Sequence, residues 1–379
     1  MPTSVGPNTK GEENLVFGYD LGDVSNSYKG EPTTNVIADP EPLSGWTISN
    51  NGTSAATITY SSDNGIPHME LSSVNVDGSY PRIYMANLTS TITDGFSISF
   101  EAKSNVSNVQ LGLALYSLAS TKITQYATLS TEWQRFEFEN LTTGFTLDDG
   151  YLRIPSTTSG AVYYIRRIQV EQKTHATPFT AGTRSATQGL LDLTGNSTAD
   201  LTNVSFDSNA QITFDGTNDT ISVASYPAIE LVDNVSIEYV YKRLSTDPIL
   251  DVIANKYHST GWELFCTATN KFALAGRNGD GTYYSMSNGA YTIQNNQYYH
   301  LVAIKEGLSW RLYVNGELYA YLTANTVGTW SNTGVLQIGG EGSGYYPNMQ
   351  LPILKIYNRV LAAEEIKSNF NAIKGRFNI

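Results

Sequence analysis

The residues best equipped for chemistry lie in the C-terminal half: Tyr257-His258, Trp262, Arg277-Asn278-Gly279-Asp280, Tyr283-Tyr284 and, after Gly342-Ser343-Gly344, Tyr345-Tyr346. Exposed aromatic rings stack on the apolar faces of pyranose sugars, while amides, carboxylates and guanidinium groups answer the hydroxyls. Tyr257, Trp262, Arg277, Tyr283 and Tyr284 are therefore the candidate carbohydrate-binding residues, with Asn278 and Asp280 beside them. Adjacent tyrosines on a strand point to opposite faces, so one of Tyr283 and Tyr284 is expected in a core. Trp46, Tyr80 and Tyr84 offer similar rings nearer the N-terminus, whereas Trp133 and Trp310 sit inside strand patterns and are expected to be core. Asp215, Asn218 and Asp219 present oxygens of the kind a hard cation takes, with Asp215 and Asp219 as the candidate metal ligands. Asp-Gly and Asn-Asp are equally ordinary turn chemistry. The four histidines, His68, His175, His258 and His300, match no metal-ligand or triad spacing, and no catalytic residue is assigned.

The elements that must position these residues are strands. Charged residues are 15% of the 379-residue chain, and 25 Tyr stand against 13 Phe. Thr, Ser, Asn and Gly fill the deficit, which suits half-buried strands joined by tight turns. Period-2 alternation recurs at Phe96-Ser97-Ile98-Ser99-Phe100, Gln134-Arg135-Phe136-Glu137-Phe138 and Arg311-Leu312-Tyr313-Val314. Val314-Asn315-Gly316-Glu317 reads as a type I′ hairpin. Such strands, each with one buried face, imply two sheets packed face to face. Only the segment from Ala362 to Ile373 reads as a helix, with Ile366, Phe370 and Ile373 on one side. The single cysteine, Cys266, lies in an alternating strand and is expected as a buried thiol. A net charge of −12 repels phosphate backbones and anionic lipid, so neither nucleic acid nor membrane is an expected partner. The polar N-terminus carries no secretory pattern, which for so Thr/Asn-rich a chain fits a virion protein assembled inside a host cell.

From Gly189 onward the order of features resembles a laminin-G-like, concanavalin A-type jelly roll. The residues that carry this are Leu191-Asp192-Leu193-Thr194-Gly195-Asn196, Ile212-Thr213-Phe214-Asp215-Gly216-Thr217-Asn218-Asp219, the Asn315-Gly316 hairpin, Leu336-Gln337-Ile338-Gly339-Gly340, and Ile356-Tyr357-Asn358-Arg359-Val360-Leu361. In versions similar to tailed-phage structural proteins, a strand like Leu15-Val16-Phe17 leads straight into the Leu-Asp-Leu-Thr-Gly-Asn segment. Here the two are far apart. The intervening region, with Ser44-Gly45-Trp46, Phe100-Glu101-Ala102-Lys103 and Glu132-Trp133-Gln134-Arg135-Phe136, resembles the jelly-roll carbohydrate-binding modules of glycosidases. Its closing segment, Ala176-Thr177-Pro178-Phe179, is also similar to phage tail proteins.

These resemblances imply an all-β protein of two jelly-roll sandwiches. Residues 1–11 are expected as an arm that docks on a neighbouring subunit. Residues 12–34 would supply the first strand of the laminin-G-like domain, 35–182 an inserted sandwich, and 183–379 the remainder with a short C-terminal helix. No cofactor is expected, although the resemblance makes calcium a candidate ion at Asp215 and Asp219. The Glu-x-Asp-x-Glu strand of concanavalin A-like glucanases, which sets three carboxylates on one face, is absent from the sequence. The expected function is that of a non-enzymatic phage protein on the virion surface, as capsid decoration, tail fibre or tail appendage. Its expected partners are other virion proteins, further copies of itself and cell-surface polysaccharide. A polysaccharide-degrading enzyme and a bacterial surface adhesin are the alternatives.

Overall fold

The computed structural model describes residues 13–379 apart from 24–26, 45, 50–54, 75–81, 85–87, 118–119, 143–148, 154–159, 207–210, 246–249, 258–259, 279–280, 288–291, 325–327 and 342–343. The expected N-terminal arm, Tyr80, His258 and Asp280 lie outside the described residues. Two compact units divide the rest: Thr33–Arg184, and the described residues up to Pro32 together with Ser185–Ile379. The strand Thr33–Thr34 pairs antiparallel with Thr183–Arg184, so these residues group with the inserted unit rather than with the C-terminal one.

The inserted unit consists of two five-stranded sheets and a two-residue ribbon. Phe96, Ile98 and Phe100 share a core with Met69, Leu71, Leu111, Leu113, Tyr163 and Ile165. Glu171, itself buried, accepts hydrogen bonds from the Thr33 hydroxyl at 2.7 Å and the Thr177 hydroxyl at 2.8 Å, and so ties the ribbon to this unit.

The C-terminal unit is an eight-stranded sheet and a seven-stranded sheet. Leu15–Asp20 joins the first by pairing with Asn348–Tyr357 at the far end of the chain. The seven-stranded sheet runs Ala199–Thr202, Thr220–Val223, Leu336–Ile338, Asp251–Tyr257, Gly261–Cys266, Phe272–Arg277, Tyr283–Met286. One face of each sheet supplies the core, where Trp262, Leu264, Phe272 and Leu274 meet Tyr239, Tyr241, Leu301, Leu312 and Ile356. Burying each such side chain contributes about 1.5–3 kcal/mol. Ser309–Val314 turns into Glu317–Thr323 through Asn315 and Gly316, with φ of 52° and 79°, the type I′ geometry. Cys266 is a free buried thiol.

The helix Ala363–Phe377 lies on the outward face of the eight-stranded sheet. Glu364 and Glu365 occupy its first turn and Lys374 and Arg376 its last, each matched to the helix dipole. Ile366, Ile373 and Phe377 are buried against Val240, Val302, Ile304, Ile353 and Tyr357. Phe370, expected on the same buried stripe, is half-buried and stacks on His300 at 6.0 Å.

Candidate functional site

On the outward face of the seven-stranded sheet, register sets Tyr257, Gly261, Arg277 and Tyr283 in one row across four strands. Gly261 has φ 123°, and a Cβ there would lie 1.9 Å from the Lys256 carbonyl, so only glycine fits. With no side chain standing between them, Arg277 Nε donates to the Tyr257 hydroxyl at 2.7 Å, and its Nη1 donates to the Gly281 carbonyl at 2.8 Å. The guanidinium carbon is 5.8 Å from the Tyr283 ring centroid. Arg277 thus fixes two rings that remain 37% exposed at Tyr257 and 49% exposed at Tyr283.

A second row runs parallel to it: Ser222, Gln337, Asn255, Glu263, Ala275, Ser285. Asn255 Nδ2 donates to the Gly340 carbonyl at 3.0 Å, which ties the backbone next to Glu341 to the strand that neighbours Glu263. Burial first, and then the charge of Glu341, pushes the Glu263 carboxyl up to about 7.

Trp262 and Tyr284 point the other way. Trp262 is 1% exposed inside the core, out of reach of any glycan, because its place in the alternation falls between outward Gly261 and Glu263. Tyr284 packs on Trp310 at 5.6 Å, and Trp310 meets Trp330 edge-on at 4.9 Å. Gly276 admits this indole pair, since a Cβ there would come within 2.7 Å of Trp330 Nε1. Asn278 is buried in the turn before Tyr283, where its carbonyl accepts the Gly281 amide at 2.8 Å. Trp133, expected in the core, is half-buried beneath the Arg166 guanidinium at 4.0 Å and bonds Asp63 Oδ2 at 2.8 Å. Trp46 is buried and Tyr84 half-buried.

Asp219 and Asp215 spend their carboxylates on their own turn. Asp219 Oδ2 accepts the Asp215 amide at 2.7 Å, and Asp215 Oδ1 accepts the Thr217 amide at 2.7 Å. Burial, and then the charge of Asp215, raises the Asp219 carboxyl above its usual range. Among the described residues no three His, Cys, Asp or Glu side chains gather as a metal-holding group.

A feature with no sequence signal lies beneath the helix. A cavity of about 300 Å³ is lined by Glu238, His300, Lys355, Tyr357, Arg359 and Asn369 among others. His300 Nε2 is 2.8 Å from Glu238 Oε1, while Tyr357 and Asn369 donate to Glu238 Oε2 at 3.2 Å each. Burial would raise the Glu238 carboxyl, but the hydrogen bond and charge of His300, with Lys355, hold it down at about 2.

Residues 215–367 match the laminin-G-type family model described as the concanavalin A-like lectin/glucanases superfamily. The C-terminal unit contains a concanavalin A-like domain. Solved structures similar to the chain include the binding domain of Paraclostridial mosquitocidal protein 1, with TM-score 0.44, 17% identity, and coverage of 48% of this chain and 49% of that one. The receptor-binding domain of botulinum neurotoxin D is similar at TM-score 0.40 and 16% identity, covering 50% and 51%. The chain spans about half the length of the structures it matches. No curated protein matches the sequence.

Proposed function

We propose that the protein binds carbohydrate on the outward face of its seven-stranded sheet, through Tyr257, Arg277 and Tyr283 with Glu263 beside them. The observation that carries this is a pair of tyrosine rings held by one arginine yet left open to solvent. Pre-positioned rings lose little conformational freedom when a sugar stacks on them, and polar groups sit within reach of its hydroxyls. The family match supports the reading, since its description names lectins and glucanases together. Within that pair the sequence supports a binder, because it lacks the Glu-x-Asp-x-Glu strand. On a glycan array Tyr283→Ala should weaken binding about fivefold or more, as loss of one stacking ring of about 1 kcal/mol implies. No glycan bound by the native protein would end the proposal.

A hydrolytic reading has one observation in its favour. Glu263, poised near neutrality beside a second carboxyl, has the character of a general acid. Release of reducing sugar by the native protein, abolished in Glu263→Gln, would replace binder with enzyme.

We further assign the protein to the surface of a phage virion, as a decoration, fibre or tail-appendage subunit assembled with other virion proteins and copies of itself. The similarity of Leu15-Val16-Phe17 and Ala176-Thr177-Pro178-Phe179 to segments of phage structural proteins supports this. Peptide mass spectrometry of purified particles tests it. Recovery of the chain only from particle-free fractions would overturn it.

A further inference from the structure

We propose that the glycan face selects an amino sugar with a free ammonium group, and that Glu263 is the specificity-determining residue. This inference rests on the carbohydrate reading above and names the ligand class within it.

Glu263 stands outward in the second row, in register with Asn255 on one side and Ala275 on the other. The Asn255 side chain is committed to the Gly340 carbonyl, and alanine offers no polar atom. Arg277, one row away, spends its Nε on Tyr257 and its Nη1 on Gly281. Lys256, next to Asn255 in sequence, turns inward, where Nζ donates to the Asn332 carbonyl at 2.8 Å and the Gly334 carbonyl at 2.7 Å. Among the described residues the titratable groups acting on Glu263 are therefore Glu341 from a loop and Tyr283 from the edge strand, and neither supplies a positive charge. No ion pair joins Glu263 to any described cation.

Burial, and then the negative charge of Glu341 with no described cation to offset it, penalises the charged form of Glu263. The folded protein carries that cost without any internal return, a pattern that marks ligand sites. A ligand ammonium would relieve it by donating hydrogen bonds to the Glu263 carboxylate and offsetting its charge, whereas a uronate would add a third negative group. An N-acetylated sugar would bring only neutral hydrogen bonds. The surrounding rings at Tyr257 and Tyr283 favour a pyranose, and also favour positive charge over their faces. The net charge of −12 acts in the same direction at longer range.

Calorimetry on the full chain at pH 7 and low salt, with hexamers of glucosamine, N-acetylglucosamine and galacturonate, tests the proposal. The glucosamine hexamer should bind at least tenfold more tightly than the N-acetyl hexamer, and the galacturonate hexamer should be the weakest. Glu263→Gln should shrink the amine preference to threefold or less, and Glu341→Gln, at an exposed position, should reduce it in part. Tyr283→Ala should weaken all binding sugars together. Thermal melts establish that each variant is folded. Equal binding of the amine and N-acetyl hexamers, lowered alike by Tyr283→Ala, would overturn the amine selectivity and leave the carbohydrate reading standing. A preference that survives in both folded carboxyl variants would overturn the role of Glu263. Equal binding of a lysine hexapeptide would show a response to charge alone and overturn the sugar component. No binding of any hexamer or array glycan would remove the carbohydrate reading itself.

Discussion

The two outward faces of the C-terminal unit carry similar side chains and use them in opposite ways. On the eight-stranded sheet, Glu238 faces outward, but the helix closes over it and every polar atom of its carboxylate finds a partner in His300, Tyr357 or Asn369. On the seven-stranded sheet, Glu263 faces outward with no cation among the described residues paired to it and with the charge of Glu341 acting on it. One carboxyl is held down at about 2 and the other pushed up to about 7. The difference teaches that residue type does not separate a closed structural face from an open one: saturation of polar groups does. The aromatic residues follow the same rule. Trp133 in the inserted unit lies beneath Arg166 and Lys103 and bonds Asp63, whereas Tyr257 and Tyr283 keep open faces.

The largest effect is expected where the closed face is broken. Glu238→Ala removes the acceptor for three donors in a buried network and should cost about 3–5 kcal/mol, read from urea unfolding. The same carboxylate makes stability fall in acid. Its folded value near 2 lies below its unfolded value, so its contribution is complete above about 4.5 and is lost as pH drops toward 2. A native unfolding midpoint that stays constant between pH 5 and pH 2.5 would show that the network is not holding the fold. Trp262→Ala should follow at about 3–5 kcal/mol, a core cavity effect. Its folded fraction should bind glycan normally, and a selective loss of binding at unchanged stability would put Trp262 in the site after all.

Tyr283→Ala and Tyr284→Ala sharpen the contrast within one strand. The first should change stability by less than about 0.5 kcal/mol while weakening binding, because its ring is exposed. The second should destabilise by about 2–4 kcal/mol, because its ring packs on Trp310. If both variants melt alike, the two rings do not differ in the way their alternation dictates.

Much of this arrangement was legible in the sequence, for identifiable reasons. Alternation and turn chemistry identified the strands, and Asn315-Gly316 announced its own hairpin because only certain residues tolerate positive φ at both positions. Tyr257, Arg277 and Tyr283 were readable as a group, since short hairpins bring neighbouring strands into register. Trp262 was misread because alternation gives the period and not the phase: only the register with Gly261 and Glu263 says which set is inward. Glu263 was missed because an outward glutamate on a strand looks like ordinary solvated surface. Its isolation depends on where Arg277 and Lys256 turn, and no local pattern encodes that. The Glu238–His300 pair joins strands that are antiparallel neighbours, but the helix that closes over them comes from the chain terminus.

The smallest and most diagnostic effect concerns the open face. Because the folded Glu263 carboxyl titrates near 7 and an unfolded one near 4.5, the folded state holds this proton more tightly. Its contribution to stability is therefore complete below about 4.5 and is lost as pH rises toward 7, opposite in sign to that of Glu238. Gln cannot ionise, so Glu263→Gln should remain flat across this window. At pH 8 it should exceed the native protein by about 1–2 kcal/mol, less than the full linkage value because the carboxyl is partly solvated. Subtracting the two urea-derived stability curves isolates this carboxyl from every other titrating group. A difference that vanishes at pH 8 would mean that Glu263 is already well paired or well hydrated. The gap should also close when a glucosamine hexamer saturates the native protein, because the ammonium then takes the place of the missing partner. A gap present without ligand but unchanged by the hexamer would separate the two ideas, leaving a strained carboxyl that no amine relieves.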